Sequence, residues 1–336
     1  MLPDTQPDKP LPTTRPRPAL KLVKTQDLSR AQWLSVRKGG IGSSDAGAAV
    51  GLNPYKSQLQ LWMEKTGRDG KLPKTDPNDE TSPMYWGTLL EPIVAAHYTK
   101  RTGNRVRRIN AVLQHPQEPW MLANLDREVI GAPDVQILEC KTAGIHGARL
   151  WQEGVPEYVQ LQVLHQLAVT GKQAADVAVL ICGQELQIHR IERDEAMITR
   201  LIQLERQFWG YVERDEAPPA DGSDSADVAL RCLYPQDHGQ TVDLSGDLAM
   251  GAVFSDLLAV RHQLDAAIQL EAQLKQHIQQ RMGDATKLVF DAGDVTWKRS
   301  KDSQGLDVAS LLAAQPELLQ RYPLVKPGSR RFLVNG

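Results

Sequence analysis

The stretch Asp126-Arg127-Glu128-Val129-Ile130-Gly131-Ala132-Pro133-Asp134-Val135-Gln136-Ile137-Leu138-Glu139-Cys140-Lys141 decides how the chain is read. Residues 127–130 and 135–140 are rich in β-branched and other apolar side chains, and Gly131-Ala132-Pro133-Asp134 between them is a turn signal, so the stretch predicts a β-hairpin. If the four turn residues close the loop, Ile130 faces Val135 and the pairing carries Asp126 opposite Glu139. Side chains alternate along a strand, so Lys141 shares the face of Glu139, while Leu138 and Cys140 point the other way, into a core. Two carboxylates whose Cβ atoms stand about 5 Å apart repel each other unless a hard cation such as Mg²⁺ lies between them. Two carboxylates and an ammonium at the end of an apolar strand suit hydrolysis of a phosphodiester. The alternative is an exposed hairpin carrying a surface ion pair, since Glu-x-Lys is common by chance.

With 336 residues, 41% of them apolar, the chain can bury one large core or two modest ones. Its 39 basic and 41 acidic residues give a net charge of −2, which excludes a global attraction to polyanions and leaves only local contacts. Cys140, Cys182 and Cys232 are widely spaced and lack metal-ligand partners, which argues against a disulfide framework or zinc site and suits a reducing cytoplasm. No apolar run is long enough to span a bilayer. Residues 1–25 hold many prolines and no apolar signal core, and read as a flexible tail.

A helix beginning near Ser29 is expected to stop at Gly39-Gly40, and the loop with Gly39, Gly40 and Gly42 beside Arg37, Ser43 and Ser44 can gather N–H, hydroxyl and guanidinium donors around an anion. It can equally be a plain helix–loop–helix, with Asp45 capping the helix from Ala46. A helix follows over 57–65, then a polar, proline-containing loop over 68–83. The next helix, in Trp86-Gly87-Thr88-Leu89-Leu90-Glu91-Pro92, places Leu90, Ile93, Val94 and Tyr98 on one face. Glu91 there is either a capping-box residue with Thr88 or part of a site; Pro92 counts against the box. Lys100, Arg101, Arg105, Arg107 and Arg108 form a basic cluster that can meet phosphates or complement a helix end.

Strands are expected over 106–113 and 120–123, then the hairpin, then a helix from Pro156 to Gly171 with Leu161, Leu164 and Ala168 buried and Tyr158, Gln162 and Gln166 as a polar stripe. A strand hairpin around Gly183-Gln184 and a helix over 194–213 complete an α/β (α+β) arrangement, a mixed sheet flanked by helices. Residues 217–226 read as a linker. Beyond it, Val253, Leu257, Val260, Leu264, Ala267, Leu270, Leu274 and Ile278 make one apolar seam on a long helix, expected to pack on something, followed by a short strand pair and a helix over 308–314.

Taken in order, the segments WLSVRKGGIGSSDAG, WGTLLEP, LANLDRE, ILECK and EYVQLQVLHQLAVTG resemble the YqaJ-type viral recombinases, similar to lambda-type phage alkaline exonucleases within the PD-(D/E)XK nuclease superfamily. The resemblance covers residues 33–209. It implies a restriction-endonuclease-like fold and a Mg²⁺-dependent 5′→3′ exonuclease, with Mn²⁺ able to substitute. It implies metal ligands at Asp126, Glu139, the Cys140 carbonyl and Glu91, with Lys141 assisting the attacking water and Gln162 completing the site. Arg37 and Ser44 match positions that hold a 5′-phosphate, and Arg105, Arg107 and Arg108 become candidates for DNA contact. It further implies linear double-stranded DNA as substrate, a homotrimer around it and a single-strand annealing protein as partner. Asp134 is a spare carboxylate, so Asp126 as the ligand depends on the hairpin register, and Gln162 is preferred to the competing Gln160 because it lies one turn above Tyr158. The division expected is a tail over 1–25, a nuclease domain over 26–216, a linker over 217–226 and a C-terminal extension over 227–336. A structure-specific endonuclease and a catalytically silent DNA-binding scaffold are the alternatives.

Overall fold

The computed structural model describes residues 18–26, 28–74, 76–326 and 328–335. The expected tail over 1–25 thus lies mostly outside the described residues, but Leu20–Lys24 is a strand, paired antiparallel with Ala111–Gln114.

Five strands make the central sheet, in the order Arg105–Arg107, Arg127–Ile130, Ile137–Ala143, Ala174–Ile181 and Glu185–Glu192. All neighbours are antiparallel except Ile137–Ala143 with Ala174–Ile181, and that parallel pair needs a crossover, supplied by the helix Glu157–Thr170. Ile137, Glu139 and Lys141 share a face with the crossover helix; Leu138 turns to the opposite face and packs with Val94 and Tyr98 of the helix Pro83–Thr102. The central strand is therefore buried on both faces. Truncating Leu138, which has no exposed surface, should cost about 2–5 kcal/mol.

A second sheet, ordered Leu20–Lys24, Ala111–Gln114, Met121–Ala123 and Ile41–Gly42, lies beside the same crossover helix. The single strand expected over 106–113 is two strands in different sheets, because the chain leaves one sheet for the other between Arg107 and Ala111. Gly40 lets the backbone pass close to this sheet: a Cβ there would sit 2.5 Å from the Trp120 carbonyl oxygen.

The helix carrying Glu91 starts three residues earlier than Trp86, with Ser82 as N-cap and Pro83 in its first turn. Thr88 is consequently mid-helix, its hydroxyl donating to the Met84 carbonyl, and the capping box with Glu91 does not form. Val94, Ala95 and Tyr98 are the buried face; Ile93, expected among them, is exposed.

The chain divides into two compact units, one ending at Tyr234 and one beginning at Pro235. The helix Asp224–Leu233, in a stretch read from sequence as linker and extension, belongs to the first unit. Its small residues Ala226 and Ala229 are buried, and Ser225 Oγ donates to Gln60 Oε1 at 2.7 Å on the helix Gln58–Lys65. The second unit holds the long helix Leu248–Met282, capped by Asp247, then the hairpin Lys287–Phe290 with Gly293–Thr296 and the helices Val308–Ala314 and Glu317–Arg321. The helix expected from the seam is present, but Val253, Val260, Leu264 and Leu274 on it are exposed.

Candidate functional site

The hairpin pairs Arg127 with Leu138 and Glu128 with Ile137, a register that sets Asp126 opposite Glu139. Asp134, in the turn, accepts a hydrogen bond from Arg190 at 2.9 Å and stands away from the carboxylate pair. Glu139 is buried, and every oxygen it has is engaged. Oε1 accepts from Gln162 Nε2 at 2.5 Å and pairs with Lys141 Nζ at 2.8 Å, while Oε2 accepts from Gln166 Nε2 at 2.7 Å. Lys141 Nζ also donates to Gln162 Oε1 at 2.8 Å, closing a ring of three side chains. The Cys140 backbone N–H donates to Asp126 Oδ2 at 2.8 Å, tying the two strands together where the carboxylates meet.

The helix Glu157–Thr170 explains why these amides arrive there. Gln162 and Gln166 are one turn apart on one face, and both reach Glu139. Gln160 points elsewhere, donating to the Val155 carbonyl. Gln166 is fully buried and was legible only as part of the polar stripe; its Oε1 has no hydrogen-bond partner among the described residues.

Electrostatics act strongly on Asp126. Burial, followed by the repulsion of Glu139, pushes the Asp126 carboxyl up to about 8. For Lys141 burial disfavours the charge, but Glu139 outweighs it and holds the ammonium above its ordinary value. Burial likewise raises the Cys140 thiol, with the Asp126 charge adding to it, so that side chain is an inert part of the core.

Glu91 is engaged by arginines, but its charge still reaches the carboxylate pair and adds to the rise of Asp126. It sits on the helix of the opposite layer, where Arg127 donates to its Oε1 and Arg108 lies 3.6 Å away. Among the described residues no three His, Cys, Asp or Glu side chains gather closely enough to hold a metal. Asp126 and Glu139 nevertheless offer a hard-oxygen donor set, and where an acid is pushed up to about 8 by burial first and a facing acid second, a divalent cation relieves the repulsion. The donor set fits Mg²⁺, a small ion that keeps several waters and takes one or two carboxylates.

The glycine loop holds a second charged cluster. Arg37 donates to Ser44 Oγ at 2.8 Å and to both Asp45 oxygens, at 3.1 and 3.0 Å. Lys65, from a separate helix, donates to Asp45 Oδ2 at 2.8 Å and to the Arg37 carbonyl at 2.9 Å. Asp45 does not cap the helix Ala46–Ala49; its side chain accepts the Gly42 N–H instead. That N–H is thereby unavailable to an outside anion. Burial works against the Asp45 charge, yet Arg37 and Lys65 hold this carboxyl far below the ordinary range. Lys65 itself is lowered by burial, against the pull of Asp45. Arg37 retains an exposed edge and stacks 4.9 Å from the Trp33 ring.

Of the expected DNA-contacting arginines, Arg105 and Arg107 lie on one face of their strand, with Arg107 paired to Glu128, and Arg108 reaches toward Glu91. Behind the site, His165 is fully buried between Glu205 (2.7 Å) and the Leu122 carbonyl (3.0 Å). Glu205 holds its pKa above the ordinary range although burial opposes the charge.

A mixed sheet flanked by helices, with two acids and a lysine converging on its central hairpin, places the chain in the α/β class expected from its sequence. Residues 32–173 match the YqaJ-like viral recombinase domain. The uncharacterized protein YqaJ of Bacillus subtilis (strain 168) is 35% identical over 282 residues, covering 82% of this chain and 86% of the relative. The chain belongs to the YqaJ family. Among solved structures, the alkaline exonuclease LHK-Exo of Laribacter hongkongensis matches 55% of this chain and 93% of its own with a TM-score of 0.46 at 23% identity. A phage-related exonuclease of Haemophilus somnus 129PT matches 52% and 94% with a TM-score of 0.39 at 10% identity. Among the described residues no helix is long and apolar enough to cross a membrane.

Proposed function

We propose that the chain is a Mg²⁺-dependent exonuclease that degrades one strand of linear duplex DNA in the 5′→3′ direction from a 5′-phosphorylated end, leaving 3′ single strands for recombination by annealing. The observation that carries this reading is the Asp126–Glu139 pair facing across the hairpin, with Lys141 locked beside it. Asp126, Glu139 and the Cys140 carbonyl would hold Mg²⁺, which, when bound, neutralises charge on the phosphate and acidifies a water. Lys141 stays protonated because of Glu139, so it donates hydrogen bonds to the attacking oxygen rather than acting as a base. Gln162 fixes the Lys141 rotamer and the Glu139 carboxylate together, and Gln166 fixes the far Glu139 oxygen. Glu91 serves by holding Arg127 against the Asp126 carbonyl, where Arg127 also donates at 2.5 Å.

Arg37 with Ser44 supplies a charged donor pair suited to a terminal phosphate, which carries more negative charge than an internal diester. A working homotrimer that encircles DNA, with Arg105 toward the duplex, is the assembly that lets a chain of net charge −2 stay on a polyanion, and a single-strand annealing protein in the cytoplasm is the partner for its product. The experiment is incubation of the purified protein with linear and with covalently closed circular duplex, in Mg²⁺ or in EDTA. Loss of the linear duplex alone, in Mg²⁺ alone, is expected. Cutting of closed circles would make the chain an endonuclease, and no cutting of either would leave it a DNA-binding scaffold.

A further inference from the structure

A cavity of about 570 Å³ in the first unit lies between the strand Leu20–Lys24 and the ends of the central sheet and crossover helix. Lys21, Lys24, Arg107, Arg108 and Lys172 line it, against one carboxylate, Glu128. Glu128 bonds Arg107 at 2.7 Å and Lys172 at 2.9 Å, and their charges hold it below its ordinary range although burial opposes this. Lys21 and Lys24 are exposed and have no ion pair among the described residues. Five cations against one acid make a local field that the net charge of the chain conceals.

Two elements lead from the groove toward the carboxylate site. Glu128, in its wall, is two residues beyond Asp126, which immediately precedes the strand Arg127–Ile130. Thr170, also in its wall, continues the stripe of Tyr158, Gln162 and Gln166, its hydroxyl donating to the Gln166 carbonyl. The loop of Arg37 and Ser44 leads instead to Gly47, which packs on Tyr158 at the other end of that helix. A helix of 14 residues is about 20 Å long, so the phosphate-end cluster and the groove flank the carboxylates from opposite sides.

We infer that this groove binds the phosphodiester backbone of the nucleic-acid strand on the 3′ side of the bond being cut. The inference rests on the proposed nuclease reading for its direction, but the binding it asserts can be measured without cleavage. Lys21 and Lys24 are the residues to change, because they stand on an edge strand, exposed and without an ion pair among the described residues.

The test is fluorescence anisotropy of 5′-phosphorylated duplexes with the full chain in EDTA, at several salt concentrations, for wild type, Lys21→Gln/Lys24→Gln and Lys21→Arg/Lys24→Arg. Removing two phosphate contacts should flatten the dependence of log affinity on log salt by about 1.8, and the arginine pair should restore it. A slope change of at least one, restored by arginine, supports the groove; a smaller change, or one that arginine does not restore, overturns it. Matched thermal melting of the three proteins establishes that a change is not unfolding. Cleavage in Mg²⁺ is read separately: a protein that binds through Lys21 and Lys24 but cuts nothing ends the nuclease reading and leaves the groove, and one that cuts with an unaltered slope does the reverse.

Discussion

Two aspartates in this protein, Asp45 buried and Asp126 half-buried, are driven in opposite directions. Asp126 faces another acid and is pushed up to about 8, whereas Asp45 lies between Arg37 and Lys65 and is held far below the ordinary range. Burial opposes charge at both, so the difference comes from the neighbours. The first cluster has surplus negative charge and wants a cation. The second has two cations on one acid, and Arg37 keeps part of its guanidinium exposed. A metal-dependent phosphodiesterase that begins at a phosphate terminus needs both, and the crossover helix and the second sheet hold them in one unit.

The largest effect should come from removing the negative surplus. Asp126→Ala or Glu139→Ala should abolish cleavage of linear duplex while the protein still melts cooperatively; activity retained in Asp126→Ala but lost in Asp134→Ala would overturn the carboxylate assignment. Next comes Lys65→Met, which strips the partly compensated Asp45 of one buried cation and should destabilise the fold by about 3–5 kcal/mol, read by urea unfolding. A loss under about 1 kcal/mol would mean that Arg37 alone satisfies Asp45. Arg37→Ala should then cost about 1.5–3 kcal/mol of the preference for 5′-phosphate over 5′-hydroxyl ends, with metal affinity little changed.

A last effect concerns pH. The folded Asp126 carboxyl lies above its ordinary value of 3.8, so its protonated form contributes stability that is full at low pH and lost as pH rises through about 8. Metal-free wild type should lose stability relative to Asp126→Asn between these values, and Mg²⁺ should return part of it above pH 8. Parallel stability curves for the two proteins would remove the like-charge account of the site.

Some of this was legible in the sequence because local rules decide it. The Gly131–Asp134 turn fixes a hairpin register, and that register alone sets Asp126 against Glu139. Gln162 and Gln166 were visible as a stripe with period four, though spacing could not say that a buried carboxylate would take both amides. Lys65 was invisible as a partner of Arg37 and Asp45, because it comes from another helix and only tertiary packing brings it there. Glu91 shows a further limit: the motif places it near the site and its charge acts on Asp126, but spacing could not say that Arg127 would donate to it. The seam of Leu248–Met282 was legible as a period, and a period does not say what covers it.

One measurement reads both clusters together: the initial rate of wild-type protein on matched linear duplexes with 5′-phosphate or 5′-hydroxyl ends, each in Mg²⁺ and in EDTA. The account predicts fast degradation of the phosphorylated duplex in Mg²⁺, markedly slower degradation of the hydroxyl duplex, and none in EDTA. Equal rates on the two ends would contradict the role given to Arg37 and Ser44, and cleavage in EDTA would contradict that given to Asp126 and Glu139.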